Sequence, residues 1–366
     1  MADVNGYPII FTLIAYHFST PMKLDGLSSL QNAEFPAAVV IGGANLDFKS
    51  QTFDRPILGT SNPGRSRVSA GGVGRNVAEN LARLGVDTAL VTALGDDADG
   101  LRLVAETESA GVNLRHALTT RRPTGMYTAL LDDAGEMVIA VSAMDGIDEI
   151  TADVIGARRE LISRAQILVL DCNVPVEALL LAAKTASEND VPVVVDPVSV
   201  AKAGRILAML RAGHCLHTIT PNLDELHALT GGDGTTEADL DSASALLHAM
   251  GAQHVWVRLG VRGSFLSAMQ NGAQRSEHLA ACPATLVDAT GAGDAMLAGY
   301  AAGLVRGLDA FTAARYGRAA AAITVESDHT VSPFIDFATL SARVTACRES
   351  LTSSRAWRPQ MNNFPE

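Results

Sequence analysis

From residue 37 onward the hydrophobic pattern repeats one unit: a short unbroken apolar run, a polar or glycine end, then a segment with apolar positions at helical spacing. Unbroken apolar runs mark strands buried on both faces, as in a parallel sheet. Residues 37–43 (Ala-Ala-Val-Val-Ile-Gly-Gly) open the series. Further strands are predicted over 87–94, 166–170, 192–195, 216–220, 254–259 and 264–269, with an extended segment at 114–119. Helical spacing predicts a helix carrying Val77, Leu81 and Leu84 that stops at Gly85. Others follow over 99–110, 151–164, 175–188 and 202–211, from Asn222 on, over 237–250, and near 294–305, 309–325 and 336–350. The alternation makes the chain α/β with a mostly parallel sheet.

Two stretches break the rhythm. Residues 48–69 are irregular and rich in Ser, Pro and Gly, and read as a loop or a small excursion off the main sheet. Residues 124–131 and 136–141 alternate across Asp132-Asp133-Ala134-Gly135, a hairpin signature. Together they predict a small separate sheet, a lid drawn from about 46–68 and 122–146. Residues 1–35 read as a disordered or loosely packed extension. The apolar, aromatic run from Tyr7 to Phe18 is too short to span a bilayer, and Asp3 rather than a basic residue precedes it. The domain is expected over 36–350, with 351–366 as a tail.

Composition narrows the function classes. A net charge of −12 and a pI near 5.2 argue against nucleic acid as a standing partner, which needs clustered Lys and Arg. No membrane partner is expected. The four cysteines (Cys172, Cys215, Cys282, Cys347) show no CxxC, so neither a zinc site nor a disulfide framework is expected, in keeping with a reducing cytoplasm.

The candidate chemistry sits at the ends of the predicted strands: Asn45, Asp47, Asp171, Asn173, Asp196, Asn222, Glu225, Asp288 and Asp294. A ring of acids and amides there implies one cleft at the carboxyl edge of the sheet. In Val287-Asp288-Ala289-Thr290-Gly291-Ala292-Gly293-Asp294 an apolar entry residue suggests a short strand, and small residues then open an Ala/Leu-rich helix. Unshielded first-turn amides and the helix dipole favour an anion there, with the Asp294 carboxylate beside it, an arrangement suited to phosphoryl transfer to a hydroxyl. Taken locally, a Gly-rich turn with an ordinary first-turn acid fits as well. Gly72-x-Gly74 is not a dinucleotide fingerprint, since Val77 holds the third glycine position.

Four motifs in order, Gly71-Gly72-Val73-Gly74-Arg75-Asn76, Gly95-Asp96-Asp97, Asn222-x-x-Glu225 and Gly291-Ala292-Gly293-Asp294, resemble the ribokinase-like (PfkB) family of sugar and nucleoside kinases, collinearly over about 37–345. Within it, Gly42-Gly43-Ala44-Asn45-Leu46-Asp47, Asn62-Pro63-Gly64, Ala143-Met144-Asp145, Asp171-Cys172-Asn173 and Asp196-Pro197-Val198-Ser199 are most similar to the branch that phosphorylates pseudouridine. The resemblance implies a three-layer α/β/α fold with a small β-sheet lid that doubles as a homodimer clasp. It implies ATP as phosphoryl donor, Mg²⁺, and, as in several relatives, a monovalent cation such as K⁺. It casts Asp294 as the base for the 5′-hydroxyl, kept ionised by the helix dipole, and the amides of Gly291, Ala292 and Gly293 as the anion hole. Asn45, Asp47, Gly72, Asn76 and Asn173 would hold the nucleoside, with Lys49, Thr124 and Met144 near the base. Asn222 and Glu225 would organise Mg²⁺ through water; the turn from Gly260 to Gly263 and the segment around Ser327 would line the adenine pocket. Two positions depart from the pattern: Ala289 replaces a common Thr or Ser, and Arg258 stands where a small hydroxyl residue is usual. The alternatives are a ribokinase or another nucleoside kinase, and a catalytically silent nucleoside-binding protein, against which Asp294, Asn222 and Glu225 speak. Of the histidines only His329, near the adenine segment, draws attention.

Overall fold

The computed structural model of the protein describes residues 35–353, and the side chains of 348–353 are left out of account. The expected extension and tail therefore lie outside the described residues, apart from Phe35 and 351–353. In chain order the strands are β1 (Ala38–Ile41), β2 (Asn45–Thr52), β3 (Gly64–Gly71), β4 (Thr88–Val91), β5 (Ala93–Gly95), β6 (Leu118–Thr120) and β7 (Met126–Leu131). They continue as β8 (Met137–Ala143), β9 (Ile167–Asp171), β10 (Val193–Asp196), β11 (Leu216–Ile219), β12 (Ala252–Arg258), β13 (Ser264–Gln270) and β14 (Ala273–Leu279).

The central sheet has the order β14-β13-β12-β11-β10-β9-β1-β4. Its strands run parallel from β4 to β12, and β13 and β14 turn back antiparallel at one edge. Alternation along β1 shows why the runs are unbroken: Ala38 and Val40 enter one core layer and Val39 and Ile41 the other, all fully buried. Both faces are covered by helices, which gives the three layers. The first core layer holds helix Ala292–Val305, buried from Ala295 to Gly303 and packed against helix Ala310–Val325 at closest approach through glycines. A β-carbon on Gly299 would stand 2.9 Å from the β-carbon of Ala320, and one on Gly317 2.4 Å from the Met296 carbonyl oxygen. That contact fixes the start of helix Ala292–Val305 relative to the sheet.

The small sheet expected from the hairpin is present, with the order β3-β2-β7-β8. Residues 48–69 differ from the irregular segment expected, because β2 and β3 pair antiparallel across a loop, Asn45 opposite Gly71 through Thr52 opposite Gly64. Their Ser, Arg and Gly content hid them, since a two-sided, half-exposed strand carries little apolar alternation. The predicted helix over 151–164 is two short ones, Ala152–Gly156 and Arg159–Ser163. Val287 does not lead a strand; it is 57% exposed, and its backbone N–H donates to the Val325 carbonyl at 2.7 Å.

The cysteine expectation is corrected. Cys282 and Cys347, 65 residues apart, form a disulfide with Cα atoms 5.5 Å apart. Spacing cannot reveal a pair joining the segment after β14 to the C-terminal helix, so cysteine usage says nothing here about compartment. Among the described residues no helix is long and apolar enough to cross a membrane.

Candidate active site

The carboxyl ends of β1, β9, β10 and β11 converge on the N-terminus of helix Ala292–Val305, as expected for a parallel α/β sheet. Gly291 precedes that helix in the left-handed region (φ 81°), and a β-carbon on it would lie 1.9 Å from the Thr330 carbonyl oxygen. Only glycine fits both constraints. The loop leading to it is tied down by Val287 N–H on Val325 and by Thr290 N–H on Asp288 Oδ1 at 2.8 Å. Of the three amides expected in the anion hole, that of Ala292 turns inward to the Ala289 carbonyl (3.2 Å), leaving those of Gly291 and Gly293 for a ligand.

Asp294 sits in the first turn, and its Oδ2 accepts from Asn76 Nδ2 at 2.8 Å. Removal from water raises its pKa to about 7, against the Asn76 hydrogen bond and the attraction of Arg258, while Asp196 and Asp171 add to the rise. This departs from the expectation that the helix dipole keeps Asp294 ionised, because desolvation by burial outweighs the Asn76 hydrogen bond and Arg258. Asn76 is itself oriented: Arg75 Nη1 donates to its Oδ1 at 3.1 Å, which turns Nδ2 toward Asp294. Arg75 is buried and pairs with Glu79, which in turn binds Arg83 at 2.8 Å. Arg75 was legible as part of a motif, but its orienting role was not.

On the sugar side Asn45 donates to Asp47 Oδ1 at 2.6 Å, and burial raises the Asp47 pKa against the attraction of Asn45, Lys49 and Arg75. Gly72 has φ 95°, and a β-carbon on it would strike the Gly43 carbonyl oxygen at 2.5 Å, so the start of helix Val73–Arg83 lies directly on the end of β1. Asp171 does not face the cleft as a free acid. It is 1% exposed and accepts from the amides of Gly43, Gly74 and Asn173, each at 2.8 Å, locking β1, β9 and that helix together.

Met144 and Asn173 line a small cavity with Gly43, Ala44, Asn45 and Gly125, in keeping with a place beside the nucleoside. Lys49 and Thr124 depart from theirs. Lys49 reaches from β2 to Thr290 Oγ1 at 3.0 Å, at the mouth of the anion hole. Thr124 is buried, donates to Asp97 Oδ1 at 2.7 Å and accepts from the Gly95 amide at 3.0 Å. It therefore anchors the Gly95-Asp96-Asp97 turn, where Asp97 caps helix Ala98–Ser109.

Asn222 and Glu225 form a reciprocal capping box at the start of helix Leu223–Thr230, each backbone N–H donating to the other's side chain at 2.8 Å. Arg258 donates to Asp196 Oδ2 at 2.8 Å and to Glu225 Oε2 at 3.1 Å, all three side chains being largely buried. Burial opposes the guanidinium charge, and the two carboxylates with Asp294 more than offset it, so its pKa is raised. Arg258 thus neither faces solvent nor stands free, and a β-carbon on Gly293 would lie 2.8 Å from its Nη1. Asp196 also accepts from the Val198 amide at 2.7 Å, where Val198 is held at φ 66°, a strained value for a β-branched residue. Gly260 and Gly263 bound the turn between β12 and β13; a β-carbon on Gly263 would strike the Leu279 carbonyl oxygen at 2.1 Å. Ser327 is buried after helix Ala310–Val325 and accepts from the His329 amide at 3.1 Å.

No group of three His, Cys, Asp or Glu among the described residues would cage a metal ion.

The comparisons agree with this geometry. The pattern described as pfkB family carbohydrate kinase matches residues 37–336. The chain is 33% identical to the pseudouridine kinase of Escherichia coli K12, covering 84% of this chain and 96% of that one. It is 36% identical to an uncharacterized sugar kinase of the same strain, covering 81% and 80%. The Arabidopsis thaliana ribokinase complexed with ribose and ATP superposes with a TM-score of 0.73 at 26% identity, covering 85% and 99%. With family, fold and cleft in agreement, the protein is a phosphotransferase acting on an alcohol group, and the chain belongs to the pfkB family of carbohydrate kinases.

Proposed function

We propose that the protein transfers the γ-phosphoryl group of ATP to the 5′-hydroxyl of pseudouridine, giving pseudouridine 5′-phosphate and ADP. The observation that carries the chemistry is Asp294, held by Asn76 at 2.8 Å in the first turn of a helix whose approach amides are free for an anion. The 5′-hydroxyl proton passes to the Asp294 carboxylate as the oxygen attacks the γ-phosphorus, and the bond to the departing ADP oxygen breaks. The Gly291 and Gly293 amides receive charge developing on the phosphoryl oxygens. Lys49, already at Thr290, brings a cation to the same place from the lid and excludes water when the small sheet closes. Asp47, Asn45 and Asn76 hold the ribose hydroxyls. Mg²⁺, when bound, would supply charge neutralisation on the nucleotide phosphates, and Glu225 and Asn222 would hold its waters. The turn from Gly260 to Gly263 and the segment around Ser327 receive the adenine.

Pseudouridine as substrate is supported by the relative at 33% identity and near-complete coverage. Ribose is the second reading, favoured by the likeness to the Arabidopsis thaliana ribokinase complexed with ribose and ATP. An ADP-formation assay across pseudouridine, uridine, adenosine and ribose, with and without K⁺, tests both: a kcat/KM for ribose above that for pseudouridine refutes the first. We further propose a cytoplasmic homodimer joined through the small sheet. Its edge strand β8 exposes Met137 (57%), Ile139 (58%) and Val141 (59%), an apolar row. A sedimenting monomer at micromolar concentration refutes the dimer.

A further inference from the structure

We propose that Lys202 sets which nucleobase the site accepts, by fixing the Asn173 side-chain amide with its N–H donors toward the base slot. The inference rests on the nucleoside reading above. The slot is lined by Gly43, Gly125 and the apolar side chains of Met144 and Ile147, with Asn45 and Asn173 as its polar side chains, and the Asn45 amide is already turned to Asp47.

Lys202, in helix Val200–Arg211, places Nζ 2.5 Å from Asn173 Oδ1. A lysine ammonium has three donors and no acceptor, so the amide oxygen faces it and the NH₂ faces away. The structure agrees: Nδ2 is the atom nearest a β-carbon built on Gly43, at 3.2 Å. The Asn173 side chain also helps relieve the buried Asp171 carboxylate. The surrounding backbone cannot turn to adapt. Arg205 Nη1 donates to the carbonyls of Cys172 and Val174, both at 2.8 Å, and the Asn173 N–H is bound to Asp171 at 2.8 Å. The only freedom left is rotation of the Asn173 amide, and Lys202 removes it.

A base presenting a carbonyl to Nδ2 gains a hydrogen bond. A base presenting an amino group sets donor against donor, and flipping the amide to receive it would set the NH₂ against the ammonium. The site therefore selects a pyrimidine-dione edge over a 4-amino edge, by about tenfold or more, the usual result of leaving an enclosed polar group unpaired. Lys202 is a positioning residue that acts through Asn173.

The test uses the full chain with pseudouridine and its 4-amino counterpart, measuring Kd by calorimetry without ATP, and kcat and KM with it. Wild type is expected to favour pseudouridine about tenfold or more. Lys202→Met frees the amide to rotate, so the ratio falls to within about threefold, through Kd and KM rather than kcat. Lys202→Arg, also donor-only, retains the preference. Should Lys202→Met fail to fold, Lys202→Gln, which can donate or accept, is expected to show the same loss. An unchanged ratio in the Met or Gln variant, or a change confined to kcat, overturns the proposal while pseudouridine phosphorylation by wild type stands. Wild type that binds neither nucleoside but phosphorylates ribose overturns both readings together.

Discussion

Asp294→Asn separates the catalytic and energetic roles of one carboxylate. Burial raises its pKa from the ordinary 3.8 to about 7, and the change amounts to about 4 kcal/mol. That figure is an upper limit, because Asp294 keeps partial exposure to the cleft. A carboxyl whose pKa is higher folded than unfolded stabilises the fold below the unfolded value, and that contribution is lost as pH rises through the folded one. Wild type should therefore lose up to about 4 kcal/mol of stability between pH 4 and pH 8, and Asp294→Asn, neutral throughout, should not. The variant should be the more stable protein at pH 8, with the difference vanishing near pH 4. Its kcat should fall about 10²–10⁴-fold, the usual contribution of a general base. In wild type, kcat/KM should decline on the acid side through an apparent pKa near 7. Urea denaturation at pH 4, 6 and 8 beside steady-state kinetics reads all three quantities. A stability difference that does not depend on pH, or turnover within tenfold of wild type, would refute the assignment.

Arg258→Met leaves Asp196 and Glu225 buried without their counter-charge and should cost about 3–5 kcal/mol, read as a lower denaturation midpoint. Gly291→Ala forces a β-carbon to within 1.9 Å of the Thr330 carbonyl at positive φ. It should abolish turnover while leaving nucleoside binding by calorimetry within about threefold, since the distortion falls on the phosphate side. Lys49→Met removes the contact to Thr290 and should lower kcat about tenfold or more with a smaller change in nucleoside Kd, measured by the same two methods. Withholding Mg²⁺ should abolish ADP formation without changing nucleoside affinity, because Asn222 and Glu225, the residues proposed to hold its waters, are not among those proposed to hold the nucleoside.

Much of the fold was legible because burial on both faces writes itself into sequence. Val39, Val40 and Ile41 are apolar in succession since each must enter one core layer or the other, and β9 and β10 show the same run. The lid was half legible. β7 and β8 announced themselves through a turn, whereas β2 and β3 are polar, partly exposed and paired across a gap, so nothing local required them to be strands. Cys282 and Cys347 were illegible for a related reason: their pairing depends on where the last helix docks.

The site divides along the same line. The sequence by itself determined which groups are proposed for the chemistry, because Gly291, Gly293 and Asp294 stand at a helix start that tolerates no side chain before it. It also placed Asn222 and Glu225 in one capping box, a contact made within a single turn. Only the tertiary structure decided the states of these groups. Asp294 has a pKa near 7 because the fold takes it out of water; Asp171 is an internal tie because three amides from separate elements converge on it. Lys49 meets Thr290 and Lys202 meets Asn173 across gaps of 241 and 29 residues. Residue type and spacing fix what a side chain is able to do; long-range packing fixes its solvent, its partner and its orientation, and in this cleft those three settle what it does.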